Sequence, residues 1–333
     1  VIEESAGGKA MSNLHSTRKI LIILLPLLAG AAHALDYPTK PGRLLVGFAA
    51  GGGVDVTARI VAAKLGELWG QPVIVDNRAG AGGTIASDIA AKAPPDGYSL
   101  LFCGIWSHGV APSLYKKLPY DHYKDFTPVS MIGTTPNVLV VNPAVPVKSV
   151  SDFIAYTKAN DGKIIIASPG VGSSPHMTLE LFRLTTGINI VHVPYKGGAP
   201  ALTDLLGGHL QAMFDNMSTQ LAVMKSGRTR PLAVTSPKRS VHLPDVPTMR
   251  ESGVPIDVTV WYGLCAPAAV SKAIVAKLNA DLHKVLSAPD TQRRLVEVGV
   301  DPAPSTPEQF AAFIKSETET WARVVREAKV PQQ

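Results

Sequence analysis

Three times in this chain a short apolar run breaks into glycines and small polar residues, then resumes at helical spacing. The first is Leu44-Leu45-Val46-Gly47-Phe48 followed by Ala49-Ala50-Gly51-Gly52-Gly53-Val54-Asp55. The second is Val73-Ile74-Val75-Asp76-Asn77-Arg78 followed by Ala79-Gly80-Ala81-Gly82-Gly83. The third is Ile164-Ile165-Ile166-Ala167-Ser168 followed by Pro169-Gly170-Val171-Gly172-Ser173-Ser174-Pro175-His176. A buried strand that feeds a bare-backbone loop at a helix N-terminus presents N–H groups above the sheet. Such a junction attracts carboxylates and phosphates without a charged side chain. A chain with three of them is built to hold a small anion.

The first segment reads as an export signal. Arg18-Lys19 precede an apolar core at 20–28, too short for a membrane span, and Ala29-Gly30-Ala31-Ala32-His33-Ala34 offers an Ala-x-Ala cleavage site before Leu35. Met11 is expected to be the natural start, with 1–10 an upstream extension. Residues 1–34 are therefore set apart from the fold, and the product is expected in the periplasm, cleaved near Ala34.

The remaining stretch of about 300 residues suits two domains or one large one. The net charge of +6 falls to +5 without Lys9, Arg18, Lys19, Glu3 and Glu4, and the positive residues are scattered. Nothing there implies nucleic acid. Cys103 and Cys265 are the only cysteines, each in an apolar segment. One disulfide or two buried thiols are both compatible with that, and no CxxC, HExxH or clustered spacing suggests a metal.

Strands are expected near 43–48, 73–76, 99–104, 137–142, 164–168, 190–193, 211–215, 231–235 and 259–266. Between them, Val54, Ala58, Val61, Ala62, Leu65 and Leu68 fall on one helical face. Thr306-Pro307-Glu308-Gln309 forms a capping box with proline at the first helical position. It opens a helix with a stripe of Phe310, Phe313, Ile314, Trp321, Val324 and Val325. Short apolar strands alternating with helices argue for parallel sheets covered on both faces. Ligands then sit beyond the carboxyl ends of the strands, where the three glycine loops lie.

Enzyme signatures fail. There is no P-loop, no GxGxxG and no GxSxG elbow. Ser174, His176 and Asp215 contain the residue types of a triad. However, Ser174 and His176 are two apart at a helix start, so their side chains diverge. Neither a catalytic group nor a cofactor is expected.

The loops resemble those of the Bug/TctC family, the periplasmic solute-binding receptors of tripartite tricarboxylate transporters. The resemblance is carried by Phe48-Ala49-Ala50-Gly51-Gly52-Gly53-Val54-Asp55 with Arg59, then Asn77-Arg78-Ala79-Gly80-Ala81-Gly82-Gly83, then Pro95-Asp96-Gly97-Tyr98. It continues in Ser168-Pro169-Gly170, Gly172-Ser173-Ser174 and His176, then in Val193-Pro194-Tyr195-Lys196-Gly197-Gly198 and Asp204-Leu205-Leu206-Gly207-Gly208. Leu243-Pro244-Asp245-Val246-Pro247-Thr248, Trp261-Tyr262-Gly263, Ala266-Pro267, Glu317 and Trp321 complete it. Ala268-Ala269-Val270-Ser271 departs from the family's Gly-Thr-Pro-like turn, and Ala50 stands where proline is also common.

The resemblance implies a periplasmic binding protein-like (type II) fold. Two doubly wound α/β domains are joined by a two-strand hinge, with the ligand in the cleft between them. Domain 1 would be 35–136 plus 259–333 and domain 2 would be 137–258, with crossovers at 135–139 and 257–261. A small carboxylate is the expected ligand: a di- or tricarboxylate, an aromatic carboxylate or an acidic amino acid. The protein is expected to be a monomer serving the large and small membrane permease subunits. An orphan receptor for a sensory system, or a secreted α/β hydrolase acting on a small carboxylate, are the alternatives.

The candidate ligand-binding residues are Phe48, Ala49, Ala50, Gly51, Gly52 and Gly53 on one side. Ser168, Gly170, Ser173, Ser174, His176, Tyr195, Lys196, Gly198 and Asp215 face them, with Ser107 a weaker member. Each has a duller reading. The glycines can simply permit turns, the serines cap a helix, His176 serve structure and Lys196 be a solvated cation. Asp215 can be a structural acid or can read an amine or hydroxyl of the ligand. If the leader reading holds, N-terminal sequencing of the exported protein should begin at Leu35; a mature protein still starting at Met11 would contradict it.

Overall fold

The computed structural model describes residues 36–327 and 330–333, so Met11, the expected leader and its Ala34 cleavage site lie outside the described residues. Apolar runs fold as strands and the segments between them as helices, in βα order. The first part runs β1 (Gly42–Val46), α1 (Gly53–Trp69), β2 (Val73–Asn77), α2 (Thr84–Ala91), β3 (Ser99–Gly104) and the short α3 (Ala111–Leu114). A long strand, β4 (Phe126–Val141), leads into α4 (Val150–Ala159), β5 (Ile165–Ser168), α5 (Ser174–Thr186) and β6 (Val191–Pro194). Then come α6 (Gly198–Leu206), β7 (Ala212–Asn216), α7 (Met217–Lys225) and β8 (Arg230–Val234). The chain finishes with β9 (Thr259–Pro267), α8 (Lys272–Ser287), α9 (Pro289–Glu297), β10 (Asp301–Pro302) and α10 (Pro307–Glu327).

The strands form one curled sheet in the order β2-β1-β3-β9-β4-β7-β5-β6, with β8 and β10 also pairing to β4. Its flanks are parallel: β1 pairs with β2 and β3, and β5 pairs with β6 and β7. The centre is antiparallel, which corrects the expectation of wholly parallel sheets. β9 returns between β3 and β4, and β4 runs against β7 and β8.

β4 is shared by both ends of the sheet. Its residues 126–136 pair with β9, whereas 137–141 pair with β7 and 138–141 with β8. The sequence suggested only the second part, from 137. The first part carries Pro128, Gly133 and Pro136, which weaken a strand signal, and register shifts fall at Pro128/Ser130 and Met131/Gly133.

Helix ends follow sequence chemistry. Thr306 Oγ1 accepts the Gln309 N–H (3.2 Å) and Gln309 Oε1 accepts the Thr306 N–H (3.0 Å), closing the capping box of α10. Phe310, Ile314, Trp321 and Val325 are buried along its inner stripe. α1 buries Val54, Ala58, Val61, Ala62 and Leu65. Cys103 and Cys265 are both buried free thiols. No helix among the described residues is long and apolar enough to cross a membrane.

At the point where β4 changes partners, Asn137 is fully buried and saturated with hydrogen bonds. Its Nδ2 donates to Ser174 Oγ and Thr178 Oγ1, both at 2.8 Å, its Oδ1 accepts from Asn216 Nδ2 at 2.8 Å, and its N–H donates to Thr235 Oγ1 at 3.0 Å. Truncation leaves buried partners unsatisfied, each worth ~1–3 kcal/mol. Asn137→Ala should therefore lower stability by at least ~2 kcal/mol in urea unfolding; a loss below ~0.5 kcal/mol, the level of an ordinary surface change, would contradict this role.

Candidate functional site

Four helices begin around one buried cavity. Gly52, Gly53 and Val54 open α1, Ser173, Ser174 and Pro175 open α5, Gly198 opens α6, and Asn216 and Thr219 belong to the start of α7; all line it. Phe48, Trp106, Pro169, Asp215 and Val260 complete the wall. Helix N-termini carry the positive end of the backbone dipole, so four of them concentrate positive potential in this space. Among the described residues, none of those lining it is Lys or Arg.

The walls approach so closely that glycine is needed. A Cβ on Gly198 would stand 2.7 Å from Asp215 Oδ2 and 2.9 Å from Thr219 Oγ1, and one on Gly53 would overlap the Ser218 hydroxyl. Gly52 differs. Its φ of −81° is ordinary, and a Cβ there would meet nothing nearer than Gly198 N at 3.4 Å. The cavity measures about 10 Å³, room for about one water. Next to it, sharing Phe48 and Pro169, lies a chamber of about 210 Å³ lined by Gly47, Gly80, Ala81, Gly82, Gly170, Val171, Pro194, Tyr195 and Lys196.

The sequence candidates thus fall into three groups. Phe48, Gly52, Gly53, Ser173, Ser174, Gly198 and Asp215 line the inner cavity. Gly170, Tyr195 and Lys196 line the outer chamber, together with Phe48. Ala49, Ala50, Gly51, Ser107, Ser168 and His176 line neither.

Several of these groups are engaged within the protein. The Ala49 N–H donates to Lys196 O (2.9 Å), the Gly51 N–H to Asp55 Oδ2 (2.8 Å) and the Gly53 N–H to Thr219 Oγ1 (2.8 Å). Three of the six N–H groups of 48–53 are therefore already engaged, two of them with residues of the facing segment 137–258. Asp55 sustains that loop, since it also accepts from Arg59 Nε and Asn77 Nδ2, both at 2.8 Å. Ser168 Oγ contacts His192 Nε2 (2.8 Å), and Ser107 Oγ contacts His108 Nδ1 (2.8 Å). Tyr195 donates its hydroxyl to Asp204, so only its remaining surface faces the chamber.

His176 Nδ1 accepts the Gly172 N–H (3.2 Å), and its Nε2 lies 3.9 Å from Glu180. Both ring nitrogens are thus directed away from Ser174. Burial lowers the pKa of His176 to about 4, which leaves the ring neutral. The Ser174–His176–Asp215 set is not arranged as a proton relay.

Two donors in the wall have no acceptor among the described residues. Ser174 Oγ receives the Asn137 amide, which frees its own proton to donate into the cavity. Trp106 was missed by sequence reasoning. Its indole N–H is buried and has no hydrogen-bond partner among the described residues, while its ring packs edge-on against Phe48 at 5.1 Å. A tryptophan after an apolar strand reads as core; only the unpaired N–H beside a cavity distinguishes it.

Asp215 is the one acid among the described residues of the wall. Burial pushes its carboxyl up to about 7, against the donors Gln220, the Asn216 N–H and Thr219, which favour the charged form. A neutral Asp215 donates a hydrogen bond, whereas an ionised one repels an anionic ligand.

Two α/β halves with helix N-termini converging on a cleft define a solute-binding protein of the periplasmic-binding class. The family model described as "Tripartite tricarboxylate transporter family receptor" matches residues 57–330, and the chain belongs to that family. Protein BugT of Bordetella pertussis (strain Tohama I) is 41% identical over 302 residues, covering 90% of this chain and 93% of that protein. The fold is similar to that of the periplasmic binding protein BugD, with a TM-score of 0.87, 36% identity and coverage of 89% of this chain and 100% of that one. Rpa4515 of R. palustris, solved with adipate, gives a TM-score of 0.87 at 35% identity, covering 90% and 100%. MatC (Rpa3494) from Rhodopseudomonas palustris, solved with bound malate, gives 0.82 at 33%, covering 87% and 100%.

Asp215 makes stability depend on pH. Its ordinary value is 3.8, and its folded value is about 7, so between these the native state holds a proton the unfolded chain has lost. Native stability therefore falls as pH rises through this window and levels off above it. Asp215→Asn removes the effect. Its stability relative to the parent should rise from about pH 5 to about pH 8 in thermal unfolding; a difference independent of pH would contradict a buried, proton-binding Asp215.

Proposed function

We propose that this protein captures a small carboxylate between its two halves and releases it unchanged to a membrane transporter. The observation that carries this reading is the convergence of four helix N-termini on a cavity with no lysine or arginine among its described lining residues. Fixed dipoles there favour an anion of modest size. Ser174 Oγ–H and a protonated Asp215 add donors for one carboxylate group, and the indole N–H of the lining residue Trp106, without a partner among the described residues, is a further candidate. The remainder of the ligand, including a second carboxylate, extends into the outer chamber towards Lys196. Rpa4515 with adipate and MatC with malate support a ligand of this class.

The inner cavity is too small for a dicarboxylate in the closed form, so binding needs the halves to part. We propose that 35–136 plus 259–333 move against 137–258, with the bend at 135–139 and 257–261. The change of β4 partners at Pro136/Asn137 and the pairing of Pro136 with Thr259 support that placement. Rigid-body closure then buries the ligand. The ligated form would dock on the large and small permease subunits of a tripartite transporter, after export to the periplasm on the leader ending near Ala34.

Calorimetry against adipate, malate and related carboxylates tests this reading. Ser174→Ala removes one hydrogen bond to an ionised group, worth ~1.5–3 kcal/mol, which is about a 10- to 100-fold loss. Gly52→Val places a branched side chain at the α1 N-terminus, where a Cβ meets nothing nearer than 3.4 Å, so it should abolish binding while circular dichroism stays native. Unaltered affinity in both variants would place the site elsewhere.

A further inference from the structure

Cys103 and His108, five residues apart, meet the sequence-distant Cys265 in the core. Cys103 lies on β3 and Cys265 on the antiparallel neighbour β9, where Leu101 pairs with Cys265 and Cys103 with Gly263. That register puts both sulfurs on one face of the sheet, two residues apart along the diagonal. His108 sits on the π-helical turn Ile105–Val110 that follows β3. All three side chains are fully buried. Their two sulfurs and ring nitrogen lie within 4.8 Å of one another, and Cys265 Sγ is 3.9 Å from His108 Nε2.

These separations suit a metal better than a disulfide. Metal–sulfur bonds of about 2.3 Å and metal–nitrogen bonds of about 2.0 Å let one ion link atoms up to about 4.6 Å apart. Diagonal strand neighbours stand about 7–8 Å apart at Cα, beyond the reach of an unstrained disulfide.

The imidazole is also set for ligation. Ser107 Oγ accepts the Gly104 N–H (3.2 Å) and lies 3.1 Å from Gly104 O and 2.8 Å from His108 Nδ1; with its own proton on Gly104 O, it accepts the proton of the His108 Nδ1–H tautomer. The Nε2 lone pair is then left facing Cys265. A partner on the far ring nitrogen is how metal-bound histidines are commonly oriented. Thr318 Oγ1 fixes the backbone by donating to His108 O at 2.7 Å, and Phe126 packs edge-on against the ring. Single π turns are rare and frequently mark functional sites.

We propose that Cys103, His108 and Cys265 bind one thiophilic d10 metal ion, of the Zn²⁺ or Cu⁺ class. Charge balance permits it in the core. Zn²⁺ displaces both thiol protons to solvent, and the complex with two thiolates and a neutral imidazole carries no net charge. Cu⁺ displaces one proton and reaches the same neutrality with one thiolate, one thiol and the imidazole. An uncompensated ion would be excluded from such a site. The ion would brace the turn that also carries Trp106, linking β3 to β9 behind the cleft.

The full chain, purified and reduced, would be incubated with Zn²⁺ alone or, without oxygen, with Cu⁺ alone, desalted and weighed by native mass spectrometry. The expected result is one ion per chain in at least one arm, two protons lighter than simple addition for Zn²⁺ and one for Cu⁺. Co²⁺ should give a thiolate charge-transfer band. His108→Gln and the paired Cys103→Ala, Cys265→Ala variant should retain no ion, and Ser107→Ala should bind about 10- to 100-fold more weakly. The proposal is overturned if neither metal is retained, or if the ion is retained equally by His108→Gln. It is also overturned if peptide mapping of unreduced protein finds Cys103 joined to Cys265. Wild-type uptake and the Co²⁺ band decide the matter even if a cysteine variant fails to fold.

Discussion

The architecture rests on a strand that belongs to both ends of the sheet. Residues 126–136 of β4 complete the ladder with β9, and 137–141 complete it with β7. Because backbone hydrogen bonds fix strand direction and spacing, this one segment sets where the β1-side loops stand relative to the β5-side loops. α1 then opens against α6 and α7 across a narrow gap, close enough for the Gly53 N–H to reach Thr219 Oγ1 at 2.8 Å. The cleft follows from that placement, and so does the demand for glycine at positions 53 and 198.

The potential in the cleft comes from backbone geometry. Four helix starts supply it, and the one ionisable side chain among the described residues of the inner wall is Asp215, an acid whose carboxyl burial pushes up to about 7. Dipoles fixed by the fold need no reorganisation when an anion arrives. A lysine or arginine in the same place would add long-range attraction but would hold side chains that must be reordered and screened. On the proposed function, selectivity lies in shape and hydrogen-bond count: Ser174, Trp106 and Asp215 for one carboxylate, the outer chamber for what is attached to it.

Much of this was legible in the residues. The strand-to-glycine-to-helix junctions at 44–55 and 164–176 mark two of the helix starts that form the cavity, since local chain chemistry decides both the strand and the cap. The Thr306 box closes as its spacing requires. Other features depend on contacts between remote segments. The first part of β4 was hidden by Pro128 and Pro136. The antiparallel centre depends on β9 returning across more than a hundred residues. Trp106 looks like any core aromatic until its N–H is found without a partner, and Cys103, His108 and Cys265 share no motif spacing. The loop at 48–53 showed a further limit, because sequence cannot say which N–H groups the fold itself uses.

The most direct measurement is a crystal structure of the protein grown with the carboxylate that binds it best. The account predicts one carboxylate group between the starts of α1 and α5, within hydrogen-bond distance of Ser174 Oγ and Trp106 Nε1, with the halves closed over it. A carboxylate bound outside the space between Gly52, Ser174 and Gly198, or a cleft left without ligand at saturating concentration, would contradict it.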